Sequence, residues 1–365
     1  MEGKKTKAAR YVGIDLGKRT YEVAIVGSRG KVTLSNGRTG AAGRQALYKK
    51  LCPQDKVALE AGNLAFIMAK ELERFVGCRV FVLNPSHLPL IYGSMKKTDK
   101  EDALKLAHIL EDFREERLPL VPVPSDKEMG RRKLLASYRR EKEDRTRGIN
   151  RLHGLFLSQG ITDVKKKDLA TADNRALTAG RLEGLEREEA KHQLKCLLLC
   201  EERISALEDQ IEKESEGDEQ IERLQTVPGV GPKVAFAFVA HVAAERFENG
   251  AQVANYLGLV PRVYISGDTV RYGRITKRGN GYVRGLLVQA AWALVRTKKM
   301  EGLKLRYEYM TKEKGKSKKK TIVCIARRLA VLMYTMMRDR TNYESRPFRT
   351  YKEELEAITQ LALSA

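Results

Sequence analysis

An apolar run from Tyr11 to Leu16, broken by one acid, a Gly17-Lys18-Arg19 turn and alternating apolar positions up to Val26 predict a β-hairpin. "KVTLSN" reads as a third strand and "KVALEAG", ending near Glu60, as a fourth. The helical spacing of "NLAFIMAKELERF" follows. A fifth strand, "CRVFVLNP", is stopped by Asn84-Pro85. "TDKEDALKLAHILEDF" then has the pattern of a strong helix. Strands interleaved with helices predict an α/β domain over residues 11–125, preceded by a short basic tail at 1–10.

The pattern changes near residue 126. Ile149, Leu152 and Phe156 are spaced three and four apart, and so are Leu197, Cys200, Ile204, Leu207 and Ile211. Such a short heptad seam predicts long helices at 126–220 that pair with each other or with a second copy, a coiled-coil dimerisation region. "VKKKDLATADNRALTAGRLEG" has weaker periodicity and reads as a connection with a short helix. A third region, 221–300, opens with "LQTVPGVGPKVAFAFVAHV". Residues 301–365 hold the basic segment "KEKGKSKKK" and a last apolar helix, "TIVCIARRLAVLMYTMM". No long repeat is visible.

With 365 residues the chain can build two or three cores. No apolar run is long enough to span a bilayer and no signal peptide is visible, so a cytoplasmic protein is expected. The five cysteines lack paired CxxC spacing, which argues against structural zinc. Cys196 and Cys200, four apart, are expected to pack in the core. The net charge of +22 changes the picture most, because such a field draws polyanions, nucleic acid first among them.

Asp15 lies inside an apolar strand, where a carboxylate is costly unless paired. Glu60 ends another strand. Thr98-x-x-Glu101 has the form of a capping box, so Asp99 and Asp102 fall three apart in the first turn of a helix. Each acid alone has an ordinary reading. Together, in this order, they are hard oxygen donors for two Mg2+ ions clamping a phosphodiester, with Mn2+ able to substitute. The order resembles an RNase H-type nuclease of the RuvC branch. "GIDLGKRT" also resembles the first phosphate loop of actin-like ATPases and sugar kinases. That family needs a second such domain, and none is visible after residue 125.

"VPGVGPK" resembles a helix-hairpin-helix. Gly229 and Gly231 allow a tight turn, a helix start can hold a phosphate, and Lys233 adds charge. Its plain reading is a helix–helix turn. Ser266-Gly267 follows in an expected loop, with Arg262, Arg271, Arg274, Lys277, Arg278 and Arg284 near in sequence. Guanidinium groups neutralise a phosphodiester, and a serine facing one becomes a candidate nucleophile. A turn serine is the plainer reading of those residues alone.

"GIDLGK", "ALEAG", "KTDKEDA", "VPGVGPKVA" and "SG…ITKRGN…VRGLL" together resemble transposases of the IS110 group of bacterial insertion sequences, over essentially the full length. The resemblance implies an α/β RuvC-like domain, a helical coiled-coil middle and a mainly α transposase domain with a helix-hairpin-helix. It implies an acidic tetrad at Asp15, Glu60, Asp99 and Asp102 and an essential serine at Ser266. It further implies a covalent phosphoserine link to DNA, a non-coding guide RNA pairing with donor and target, and a homodimer that acts as a tetramer on the bacterial nucleoid. The alternative is a metal-dependent junction resolvase in which Ser266 only binds phosphate. A third class is a nucleic-acid-binding protein with a dead RNase H core.

Overall fold

A computed structural model describes residues 10–27, 30–85, 87–88, 98–267, 269–298 and 302–345. The basic tail at 1–9 and the end at 346–365 lie outside them. The chain divides into two compact units, 1–125 and 126–365.

The first unit is built on a five-stranded mixed sheet, ordered β3-β2-β1-β4-β5. Its strands are β1 (Tyr11–Leu16), β2 (Thr20–Val26), β3 (Val32–Arg38), β4 (Lys56–Glu60) and β5 (Arg79–Leu83). β1 runs antiparallel to β2 and parallel to β4, an arrangement consistent with an RNase H-like domain. Its helices are α1 (Ala41–Tyr48), α2 (Asn63–Phe75) and α3 (Asp99–Asp112). Side chains alternate across the sheet. Val12, Ile14, Val57 and Leu59 share one core with Met68 and Leu72 of α2. On the opposite face Ala58 meets Leu106, and Ala24 and Val26 meet Ala103 and Ala107, all from α3. Cover on both faces explains why β1 and β4 read as nearly unbroken apolar runs.

The second unit begins with α4 (Asp126–Ser158), which runs out to a tip containing α5 (Ala172–Ala179). α6 (Gly184–Ser215) returns beside it. Tyr138 Oη donates to Glu208, and Arg145 Nε to Glu201, so the pair is antiparallel. Leu152 and Phe156 pack with Leu197 at the tip, and Ile204 and Ile211 join the core at the base. The heptad seam is thus filled within one chain. Cys196 departs from the sequence expectation: it is exposed, while Cys200 is half-buried. The seam runs through Leu197 and Ile204, and Cys196 falls just off it.

The base of this pair joins a helical body made of α7 (Glu219–Gln225), α8 (Pro232–His241), α9 (Gly250–Tyr256), α10 (Gly281–Arg296), α11 (Gly302–Glu308) and α12 (Lys318–Asp339). Ala235 to Ala240 of α8 are all buried, so α8 is the central rod. Met333 and Tyr334 of α12 pack into the same core, and Tyr334 Oη donates to Phe247 O at 2.7 Å. The stretch expected as a loop around Ser266 is instead a two-stranded antiparallel ribbon, β6 (Pro261–Ser266) and β7 (Thr269–Ile275). Its β-branched and aromatic residues favour strands, and Gly267, at φ 53°, suits a short hairpin connection.

Candidate active site and nucleic-acid interface

Two sets of sequence-predicted residues fall on the two units. In the first unit Gly13 and Asp15 point to the side of β1 covered by α3, opposite Val12 and Ile14. The parallel register pairs Gly13 with Ala58 and Ile14 with Leu59, so Asp15 and Glu60 come next on neighbouring strands. Glu60 has the parity of Ala58 and faces α3 as well. Gly13 sets how closely the helix approaches: a Cβ there would stand 1.9 Å from Ala103 O and 2.6 Å from Ala107 N. Thr98 is the N-cap of α3, its hydroxyl accepting from Glu101 N at 3.3 Å. Asp99 and Asp102 therefore occupy the first turn, where the helix dipole favours negative charge.

The four acids share one field. Burial pushes the Asp15 carboxyl up to about 6, and Asp99, Asp102 and Glu60 push it the same way. Asp102 also accepts from Lys105 Nζ at 2.8 Å. Among the described residues no three Asp, Glu, His or Cys side chains gather at metal-ligand spacing, so the acids are coupled through their field rather than converged on one point. The donor set is nonetheless all carboxylate oxygen, the chemistry that suits a hard divalent cation. A cation among them would remove the repulsion that Asp15 bears.

Sequence reasoning missed Gly13, whose signal is a glycine inside an apolar strand two residues before an acid. It also missed Glu22, which the hairpin register sets directly opposite Asp15 on the same face. The length of the Gly17-Lys18-Arg19 turn carried that signal.

In the second unit the glycine hairpin joins α7 to α8. Gly229 has φ +85°, and a Cβ there would meet Ala290 O and Leu294 N, each at 2.6 Å. Its requirement is close packing on α10. Gly231 is the N-cap of α8 with Pro232 at the first helical position, and a Cβ there would meet open space. Thr226 to Gly231 and Lys298 line a shallow cup. Lys233 does not face that cup as a free cation. Its ammonium pairs with Glu208 and lies over the Tyr138 ring.

The ribbon sorts the remaining cations. Ser266 is its last β6 residue and is exposed. The register sets Ser266 opposite Thr269 and Tyr264 opposite Arg271, so these four share one face. Arg262 shares it by alternation along β6. Val263, Ile265, Val270 and Tyr272 belong to the other face, and Gly273 and Arg274 fall in the register shift between the Val263–Tyr272 and Pro261–Ile275 pairs, near the root. Arg284 is committed elsewhere, donating to Leu257 O at 3.0 Å and to Arg278 O.

The root of the ribbon explains "TKRGN". Lys277 has φ 55° and Gly279 φ 82°. A Cβ on Gly279 would lie 1.9 Å from Tyr256 O, and one on Gly258 2.0 Å from Arg278 O. Two backbones thus cross at near contact, where only glycine fits. Asn280 caps α10, accepting from Tyr282 N and Val283 N, and its amide donates to the His241 ring.

The chain is similar to known proteins in both units. Residues 12–159 match a transposase family model of the DEDD IS110 type, and residues 221–308 match the model of the transposase IS116/IS110/IS902 family. A Pseudomonas aeruginosa protein named "Probable family 20 transposase" is 33% identical over 78% of this chain and 84% of its own length. The transposase for insertion sequence element IS1111A of Coxiella burnetii is 26% identical over 80% of this chain and 79% of its own. A pilin gene-inverting protein of Moraxella bovis is 25% identical, covering 73% and 75%. No helix among the described residues is long and apolar enough to cross a membrane.

Proposed function

This chain belongs to the IS116/IS110/IS902 family of transposases, and from that premise we propose that it cuts and rejoins DNA through a carboxylate-held metal acting with a serine nucleophile. A transposase domain of the DEDD type implies a divalent cation. We take it to be Mg2+, held by Asp15, Glu60, Asp99 and Asp102. Bound there, it supplies positive charge to the oxygens of the scissile phosphate.

Ser266 Oγ forms a bond to phosphorus while the bond from phosphorus to one deoxyribose oxygen breaks. The hydroxyl proton leaves to solvent, and the departing oxygen takes one up. One phosphodiester is exchanged for another, so the bond is conserved for rejoining to a second DNA. The observation that carries this reading is the field shared by acids from three elements on one sheet face, centred on Asp15. Similarity to a protein named for gene inversion supports rejoining rather than cleavage alone.

The net charge of +22 supports contact with RNA phosphates as well as DNA. A non-coding guide RNA would then supply sequence specificity by pairing, while the protein holds backbone. Joining two duplexes calls for two dimers, on the bacterial nucleoid.

The test is a covalent trap. The chain is expressed with its native flanking DNA and a target, the reaction is denatured, and nucleotide-linked peptides are sought by mass spectrometry. A nucleotide on the Ser266 peptide, lost in Ser266→Ala and in Asp99→Ala, is the expected result. DNA cleavage without an adduct, unchanged in Ser266→Ala, would leave a metal-dependent nuclease.

A further inference from the structure

The ribbon is exposed along both strands, yet its two faces differ chemically. Beside Ser266 stand Thr269, Tyr264, Arg271 and Arg262. On the reverse stand Val263, Ile265, Val270 and Tyr272, while Arg274 lies in the register shift near the root. Tyr264 is 58% exposed, a large ring left in water immediately beside an arginine. Residues two apart on one strand, and diagonal pairs across two strands, lie about 7 Å apart. An arginine side chain spans that distance. A phosphate held by Arg271 is therefore within reach of Ser266 Oγ, and a nucleotide next to that phosphate falls over the Tyr264 ring. Tyr264, Ser266, Thr269 and Arg271 line one shallow concavity at the end of the ribbon, together with Val263 and Ile265 of the other face.

We propose that this face of the ribbon grips the reacting DNA strand, with Arg271 bound to the scissile phosphodiester and Tyr264 stacked on the adjoining nucleotide, while Arg274, in the register shift near the root and farther along the strand from Ser266, touches only flanking backbone. The proposal rests on Ser266 being the nucleophile. It singles out one of the cations around the serine as a group that touches the reacting atoms. It also adds an aromatic that charge counting does not find. Arg271 is the bidentate donor for a phosphate whose charge grows in the transition state, which a lysine replaces only in part. Tyr264 acts through its ring, since base stacking tolerates any sequence. A transposase whose sites are chosen by pairing needs that tolerance.

The experiment uses the full-length protein, a plasmid carrying the gene with its flanking DNA, and a labelled duplex of that flanking DNA for affinity. Adduct formation at Ser266 is timed under single turnover at saturating DNA. Arg271→Ala is expected to slow it by about a hundredfold or more, with Arg271→Lys recovering part. Tyr264→Ala should lose about tenfold in affinity, and Tyr264→Phe should keep it. Arg274→Ala should weaken binding and lower the salt slope by about one, with the rate at saturation retained. Val270→Thr, on the reverse face, should stay within about twofold and shows that the ribbon tolerates substitution. Equal slowing by Arg274→Ala and Arg271→Ala overturns the assignment, as does loss in Tyr264→Phe equal to that in Tyr264→Ala. A wild-type protein that cleaves without an adduct removes the Ser266 reading itself, and this proposal with it. That outcome is seen before any ribbon variant is made.

Discussion

Asp15 and His241 are partly buried groups whose charge the fold resists, and acid acts on them in opposite directions. The Asp15 carboxyl is pushed up to about 6 by burial and by Asp99, Asp102 and Glu60. A carboxyl raised in the folded state contributes stability that is present below about pH 4 and lost as pH rises through about 6. Asp15→Asn should therefore stabilise the metal-free protein at about pH 7.5, by about 1 kcal/mol after allowing for solvent at this half-buried group. It should also abolish activity and any stabilisation by Mg2+. Urea melts with and without the ion check this. Burial pushes the His241 imidazole down to about 4, with Arg132 adding to the effect and Glu128 opposing it. Its contribution is present above about pH 6.5 and lost as pH falls through about 4. His241→Gln should flatten that part of the pH profile of the second unit.

At the scale of elements, close approach is what positions chemistry. α3 lies on Gly13, and its first turn carries Asp99 and Asp102. Gly13→Ala has to move the helix or the strand, because its Cβ would stand 1.9 Å from a carbonyl oxygen. A loss of about 3 kcal/mol is expected, with DNA cleavage falling further than stability alone explains. Thermal melts and cleavage rates measured on one preparation separate the two effects. Much of this unit is readable from sequence: the strands at 11–26, 56–60 and 79–83 alternate or run apolar as covered strands do, and Thr98 is placed as an N-cap by local spacing. Gly13 and Glu22 carry weaker marks, a glycine in an apolar strand and the length of a turn, because their surroundings depend on which strand or helix lies opposite, a matter of register and packing. The ribbon was legible in principle, since "VYISGDTVRYGRI" alternates around a Gly-Asp turn, but its basic residues draw a reader towards a loop. Lys233 shows the reverse case. Its charge suggests a phosphate, and only the fold reveals Glu208 beside it.

For the whole molecule, the candidate residues fall on two compact units: carboxylates on one, ribbon and glycine hairpin on the other. The single tryptophan, Trp292, belongs to the second unit, packed edge-on to Tyr307. Its fluorescence therefore reports unfolding of that unit alone, whereas far-ultraviolet circular dichroism follows both. Mg2+ is expected to shift the circular dichroism transition and to leave the tryptophan transition in place. Equal shifts in both signals would mean that the units unfold as one.

The glycine crossing at Gly258 and Gly279 turns the ribbon into a lever with a clamped root, and a lever has a length and a phase. Lengthening each strand by two residues advances the tip by about 7 Å and keeps Ser266 on its own side. Adding one residue to each strand advances it half as far but rolls the serine to the apolar side, because strand faces alternate. Reach is thus graded while facing is all-or-none. A variant series that keeps the clamp and alters only the stretch 261–275 should show activity returning with even steps and vanishing with odd ones.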